Sequence, residues 1–371
     1  MAKILTNHDI FKAMEKWAPI DLAYEWDNVG LQVGSYSNKV KKAMITLDVL
    51  ESVVDEAIEN EIDLIIAHHP PLFKAAKNVD VDSVQGRVIQ KLIQNNITVY
   101  ASHTNLDVAK GGVSDILCEV MGINETDVLI SSGHETLYKF VVYTPTTHLN
   151  IVRETMGESG AGHIGNYSHC TFQTEGTGTF KPLAGTNPYI GEKGETEFVP
   201  ESKIETIVSE SNLSQTLDRV KSVHPYEEVA YDIFPLSIKG EDTGAGRIGV
   251  LSKEMTLQDL CEHVKKTLNV PMVRVTGELK KQVKKVAVLG GSGSDYVEAA
   301  RKKGADVYIT GDMSFHEAQD AWQKGLSIID PGHHVEKVMK QATKDYLENI
   351  FTKSELEVSL SDANTEPFQF V

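Results

Sequence analysis

Cysteine is scarce in this chain. Among 371 residues there are three, Cys118, Cys170 and Cys261, widely spaced and without a CxxC pair, so neither a disulfide framework nor a thiolate metal site is expected. That usage fits a reducing cytoplasm. No run approaches the ~20 apolar residues that cross a bilayer. The opening MAKILTNHDIFKAMEKWAP lacks the apolar core of a signal peptide and predicts a short strand followed by an amphipathic helix. Positive charge is short as well: 36 Lys and Arg stand against 53 Asp and Glu, a formal net charge of −17. Nucleic acid and anionic membranes repel such a surface unless a local basic stripe offsets it. The clusters Lys280-Lys281 and Lys284-Lys285 read as solvated faces, so neither partner is expected. What is left is an ordinary globular balance, 41% hydrophobic and 24% charged, in a chain long enough for two or three domains.

The first third alternates strands and helices. KKAMITLDV (41–49) is a compact apolar strand, and LESVVDEAIENE after it has helical periodicity. Asp63 to Ala67 predict a buried strand that Pro70 and Pro71 forbid from continuing as helix. A helix around SVQGRVIQKLIQNN and the strand ITVYAS (97–102) follow. The last third repeats the rhythm, with strands VAVLG, VYITG and SIIDPG each followed by a helix. Repeated β-α-β implies an α/β fold with a mostly parallel sheet, and the two outer thirds are expected to share one sheet system.

The middle differs. From about Leu137 the order is strand, helix, strand, strand, helix, strand, ending in PYEEVAYDIFPL, with alternating half-buried patterns in HCTFQTEGTGTFKPL and TEFVPESKIETIVSE. That order is the ferredoxin-like split βαβ. Residues 135–237 are therefore expected to be an α+β domain inserted into a discontinuous α/β domain made of 1–134 and 238–371.

Chemistry-bearing residues collect at strand ends. His68 and His69 follow one strand, Asp107 lies five residues beyond the end of another, and His333 follows SIIDPG. In open α/β sheets ligands bind beyond the carboxyl ends of strands, so three distant segments are expected on one edge. His333 and Glu336 are three apart at a helix start and share a face. Imidazoles and carboxylates together suit zinc, with iron or manganese next. Neighbouring histidines can be aimed at two different metals with a carboxylate between them, and Asp107 is the candidate bridge in such a two-metal centre. His103 is a further candidate, as ligand, acid–base group or support for Asp107; a hydrogen bond to loop backbone is its plainer role. Asp48 also ends a strand and Asp330 precedes His333, but both are expected to cap helices. GGSGSD (290–295) reads as a tight strand-to-helix turn, matching neither phosphate-loop pattern in full. YEWDNVGLQVG (24–34) reads as a turn packed by an aromatic.

With these residues assembled, the sequence resembles the NIF3-like family, also labelled GTP cyclohydrolase 1 type 2-like. The matching segments are EWDNVGLQVG (25–34), IIAHHPPLF (65–73), SHTNLD (102–107), GGSGSD (290–295), YITGDMSFHEAQDA (308–321) and DPGHHVEK (330–337). The resemblance implies a NIF3-like α/β domain and a dinuclear metal centre of two divalent ions held by His68, His69, Asp107, His333 and Glu336. It also implies a ring-shaped homohexamer with its sites facing an internal cavity. The middle segment looks like the PII/CutA1-like insertion of the longer bacterial members, and such an insertion could cap the ring. A metal-dependent hydrolase acting on a nucleotide or other small phosphorylated molecule, with His103 managing protons, is the expected function. The alternatives are a regulatory protein that senses a metal or small molecule without turnover, and a purely structural pair of metals.

Overall fold

Thr6 and Asp9 set the first helix start, Asp9 accepting the Thr6 backbone N–H at 2.9 Å. This junction joins strand β1 (Leu5–Thr6) to helix α1 (Asn7–Trp17) in a computed structural model that describes residues 4–369 and Val371. Then come β2 (Gly30–Val33), β3 (Lys39–Val40), β4 (Lys42–Thr46), α2 (Glu51–Glu59), β5 (Leu64–Ala67), α3 (Val84–Gln94) and β6 (Thr98–Ala101). Ser83 caps α3, accepting from the Gly86 N–H. The short helices α4 (Thr104–Val108) and α5 (Val113–Val120) precede a long strand, β7 (Ile123–Pro145). Beyond it lie α6 (Leu149–Glu158), β8 (Thr171–Phe180), β9 (Glu197–Ser209) and α7 (Glu210–Val223), and the long β10 (Tyr231–Thr256) returns the chain. The last stretch holds α8 (Leu257–Thr267), β11 (Arg274–Thr276), β12 (Gln282–Ser292), α9 (Val297–Lys302), β13 (Val307–Gly311) and α10 (Phe315–Gln323). It closes with β14 (Ser327–Asp330), a 3₁₀ turn (His333–Lys337), α11 (Val338–Ile350) and β15 (Glu357–Leu360).

The chain divides into a larger unit, running up to Ser132 and resuming at Thr243, and a smaller one, Gly133–Asp242; the sequence puts the corresponding boundaries at 135 and 237. In the larger unit the expected single sheet is replaced by two main sheets, beside the small antiparallel pair β1-β3. One has the order β15-β4-β5-β6-β2, parallel except for β2. The other runs β11-β14-β13-β12-β10-β7, with β12, β13 and β14 parallel. Strand pairing sets this division: β10 pairs antiparallel with β12 in one sheet, while β15, from the last third, pairs parallel with β4 of the first third in the other.

Both sheets are buried on both faces, as parallel strands require. Ile45, Ile66 and Tyr100 share one core with Val288, Ile309 and Ile329 and with residues of α1, α5, α8 and α11. Their alternating neighbours Met44, Ile65 and Val99 pack beneath α2 and α3, while Ala287, Tyr308 and Ile328 pack beneath α9 and α10. Helices therefore cover every sheet face, and the carboxyl ends of the parallel strands are left for loops and polar side chains.

In the smaller unit the strand order is β10-β7-β9-β8, and β9 pairs antiparallel with both β7 and β8. Residues of α6 and α7 share a core with Phe140, Val142, Ile204 and Val208. The edge strand β8 is largely exposed, Phe172 to 66%. Among the described residues no helix is long and apolar enough to cross a membrane.

Candidate metal centre

Six predicted residues meet at the strand ends of the larger unit. β5 ends at Ala67 and delivers His68 and His69; β6 ends at Ala101 and leads to His103, with Asp107 on α4; β14 ends at Asp330 and leads to His333 and Glu336. The last pair lies in a 3₁₀ turn rather than the opening of an α-helix. Residues i and i+3 eclipse in that geometry, which brings His333 Nε2 to 3.0 Å from Glu336 Oε2. Thr104 and Asn105 form the first turn of α4.

Three overlapping groups have ligand atoms close enough together to hold a metal ion: His68, His69 and His103; His69, His333 and Glu336; His68, Asp107 and Glu336. His68 is fully buried. Its Nε2 lies 3.6 Å from Asp107 Oδ1 and 3.8 Å from Glu336 Oε1. His69 Nε2 lies 3.1 Å from the other Glu336 oxygen. The carboxylate that stands between the two sides is thus Glu336, whereas Asp107 belongs to the His68 side. The longer reach from the 3₁₀ turn explains the difference: Glu336 enters from the opposite sheet, and Asp107 is tethered to α4 beside His68.

Each histidine is held by its other nitrogen. His68 Nδ1 bonds the Ser102 carbonyl at 2.8 Å, His69 Nδ1 bonds Asp48 at 2.6 Å, His103 Nδ1 bonds Asp27 at 2.9 Å, and His333 Nδ1 bonds Asp312 at 2.6 Å. Such partners fix ring orientation and direct Nε2 inward, the arrangement typical of histidines that bind metals. The three aspartates were not predicted in this role. Asp48 and Asp312 each follow a strand end, β4 and β13, so the strand-edge argument that found the histidines could have found them too. Asp27 carried no comparable signal beyond its place in the DNVG turn. Asp330, set aside as a cap, accepts from the Gly332 and Met313 backbone N–H groups.

The glycines of GGSGSD have a steric role here. A Cβ on Gly291, which adopts φ +63°, would sit 2.5 Å from Glu336 Oε1, and one on Gly293 would sit 2.2 Å from the Tyr308 hydroxyl. The turn therefore lets the backbone pass close behind Glu336, as the tight-turn reading of that segment requires.

Electrostatics mark the cluster as cation-seeking. Burial disfavours charge on Glu336, but His333, His68 and His69 crowd around it and hold its carboxyl well below the usual range. Burial, with the nearby Glu336 charge adding to it, pushes Asp107 upward. Burial opposes charge on His69 as well, yet Asp48 and Glu336 outweigh it and lift its pKa to about 10. Glu336 raises His333 to about 9 against its burial, with help from Asp312. Asp27, although buried, is brought down to about 2 by His103 and Thr104. Protons on the imidazoles thus balance the carboxylates when no cation does, and a bound metal would replace them.

Two polar atoms remain without a hydrogen-bond partner among the described residues at the heart of the cluster: His68 Nε2 and Asp107 Oδ1. A buried nitrogen and a buried oxygen left open toward each other would be costly in a purely structural site. They fit a metal ion, and so does the mixed imidazole and carboxylate donor set.

Relatives match the chain over its whole length. The "GTP cyclohydrolase 1 type 2 homolog" of Halalkalibacterium halodurans is 48% identical over 371 residues, covering 100% of both chains. The protein of the same name from Bacillus subtilis is 47% identical over 373 residues, again covering 100% of both. The crystal structure of a Bacillus cereus protein related to NIF3 superposes with a TM-score of 0.88 at 49% identity, covering 100% of each chain. The family model for Duf34/NIF3 (NGG1p interacting factor 3) matches residues 5–367, a span that contains every histidine and carboxylate of the cluster, and the chain belongs to that family.

Proposed function

We propose that the chain is a metal-dependent hydrolase with a dinuclear centre, acting on a nucleotide or another small phosphorylated molecule. The observation that carries this reading is the pair of open, buried atoms, His68 Nε2 and Asp107 Oδ1, 3.6 Å apart. His68, Asp107 and Glu336 would hold one ion, and His69, His333 and Glu336 the other, with Glu336 common to both. Zinc suits this donor set best, with iron or manganese next. When bound, two divalent ions lower the pKa of a water and offset negative charge that develops on the substrate.

The chain's own residues do the rest. Asp48 and Asp312 keep the His69 and His333 rings in place. His103, oriented through Nδ1 by Asp27, is the residue placed to exchange a proton beside the reacting groups. The nucleotide class is supported by the names of the relatives. Two further elements belong to the proposal. The order β10-β7-β9-β8 in the smaller unit supports a ferredoxin-like, PII/CutA1-like insert. Family membership supports a homohexameric ring, which light scattering tests.

Elemental analysis of protein purified without added metal should find about two ions per chain. The same protein should turn over at least one member of a panel of nucleotides and small phosphorylated compounds, and His68→Ala should abolish that turnover. Metal retained, a ligand bound and no turnover anywhere on the panel would replace the hydrolase with a sensor.

A further inference from the structure

Beside the cluster lie two large aromatic side chains that the fold leaves open. Trp26 is 58% exposed and Phe73 is 47% exposed. Their ring centroids are 5.7 Å apart, and each stands close to the catalytic candidate His103, at 6.2 Å and 6.4 Å respectively. Single exposed hydrophobic residues need no explanation. A contacting pair at the rim of a charged cluster is different, because rings of this size ordinarily contribute their area to a core.

The backbone under these rings is tied down on both sides. Asn28 Nδ2 donates to the Leu72 carbonyl at 2.6 Å, joining the turn that carries Trp26 to the loop that carries Phe73. The Asp27 carboxylate accepts from the Thr104 N–H at 3.0 Å and the Thr104 hydroxyl at 2.6 Å. The Tyr24 N–H donates to that same hydroxyl at 3.1 Å. One residue of the turn therefore fixes His103 while its neighbour presents an open indole. Tyr24 packs against the indole with centroids 5.7 Å apart, and the Phe73 ring meets it at 52°. The two rings are thus held in place as an angled pair that stays about half exposed.

We propose that Trp26 and Phe73 form a stacking platform for a planar heterocycle in the ligand, whose phosphate end reaches the metal centre. The inference rests on the metal-centre reading of the cluster and adds a ligand class to it: a ring joined to a phosphate, rather than a phosphate alone. Aromatic side chains bind bases by their π-faces with little dependence on base identity. The platform would thus supply affinity for the ring and leave discrimination to other contacts.

The test is equilibrium binding to the metal-loaded protein as purified, with two probes, guanosine monophosphate and ribose phosphate. Guanosine monophosphate should bind more tightly. Trp26→Ala and Phe73→Ala should each weaken it by roughly 5- to 100-fold while leaving ribose phosphate and metal content unchanged. Trp26→Phe should keep most of the affinity. The platform is overturned by equal affinity for both probes, by no binding of either, or by alanine variants that bind as the native chain does. A drop in metal content in Trp26→Ala overturns it too. So does a change of oligomeric mass with binding intact, which would assign the rings to a contact between copies. Because the readout is binding, a failure to find turnover removes the hydrolase reading and leaves this one standing.

Discussion

Two histidines, one in each unit, look alike in sequence and end in opposite situations. His224, in the HPYEE segment of the smaller unit, has both ring nitrogens engaged by backbone. Nε2 meets the Tyr143 carbonyl at 2.9 Å and Nδ1 accepts from the Tyr226 N–H at 3.1 Å. Burial pushes its pKa down, which keeps it neutral and able to make both bonds. His68, in the larger unit, has Nδ1 engaged by the Ser102 carbonyl and Nε2 without a partner among the described residues. The first ring is a fastener between two backbone segments. The second is oriented and left unfinished. Burial does not separate them, since both are buried; the count of open nitrogens does. A histidine ready for a metal has one nitrogen fixed and the other free.

That contrast breaks most sharply at Glu336, the group common to both sides of the cluster. Glu336→Gln keeps the side-chain volume but removes the charge, so it should weaken metal binding by more than about 100-fold, beyond the usual cost of disturbing an outer partner. Elemental analysis after dialysis against a weak chelator measures it. Retention of both ions would show that the two sides do not depend on a shared carboxylate. Smaller losses are expected one step outward. Asp48→Asn and Asp312→Asn leave every proposed ligand in place but loosen the His69 and His333 rings, and each should cost roughly 10- to 100-fold in metal affinity. Competition with a metal-binding dye resolves a change of that size, and unchanged affinity in both variants would mean the rings are held by packing alone.

Much of this was legible in the sequence because it depends on one rule applied several times. Strand ends of α/β sheets collect ligands, and the apolar runs ending at Ala67, Ala101 and Asp330 can be recognised without coordinates. The rule reaches the residues that follow those strands. It does not tell which sheet each strand joins: β15 pairs with β4 from the far end of the chain, while β10 pairs with β12 in the other sheet. Pairing of distant edges leaves no periodic mark on the chain. The carboxylate common to two of the candidate groups was not legible either. Asp107 and Glu336 are both carboxylates near histidines, and only the 3₁₀ turn that eclipses His333 and Glu336 decides which of them reaches across. The orienting aspartates were hidden by an ambiguity of chemistry: a carboxylate after a strand can cap a helix or hold an imidazole, and sequence alone leaves both open.

The smallest effect on metal should come from the other histidine. His224→Ala leaves the Tyr143 carbonyl and the Tyr226 N–H without their partner, a loss of about 1–3 kcal/mol of stability if neither finds another. It should leave metal content unchanged, because both its nitrogens are taken up by backbone bonds. Chemical denaturation followed alongside elemental analysis separates the two quantities. A variant that is destabilised yet carries its full metal complement supports the distinction drawn from open nitrogens. One that loses metal without losing stability would break it, since a ring with no free nitrogen would then be acting on a site it was judged unable to serve.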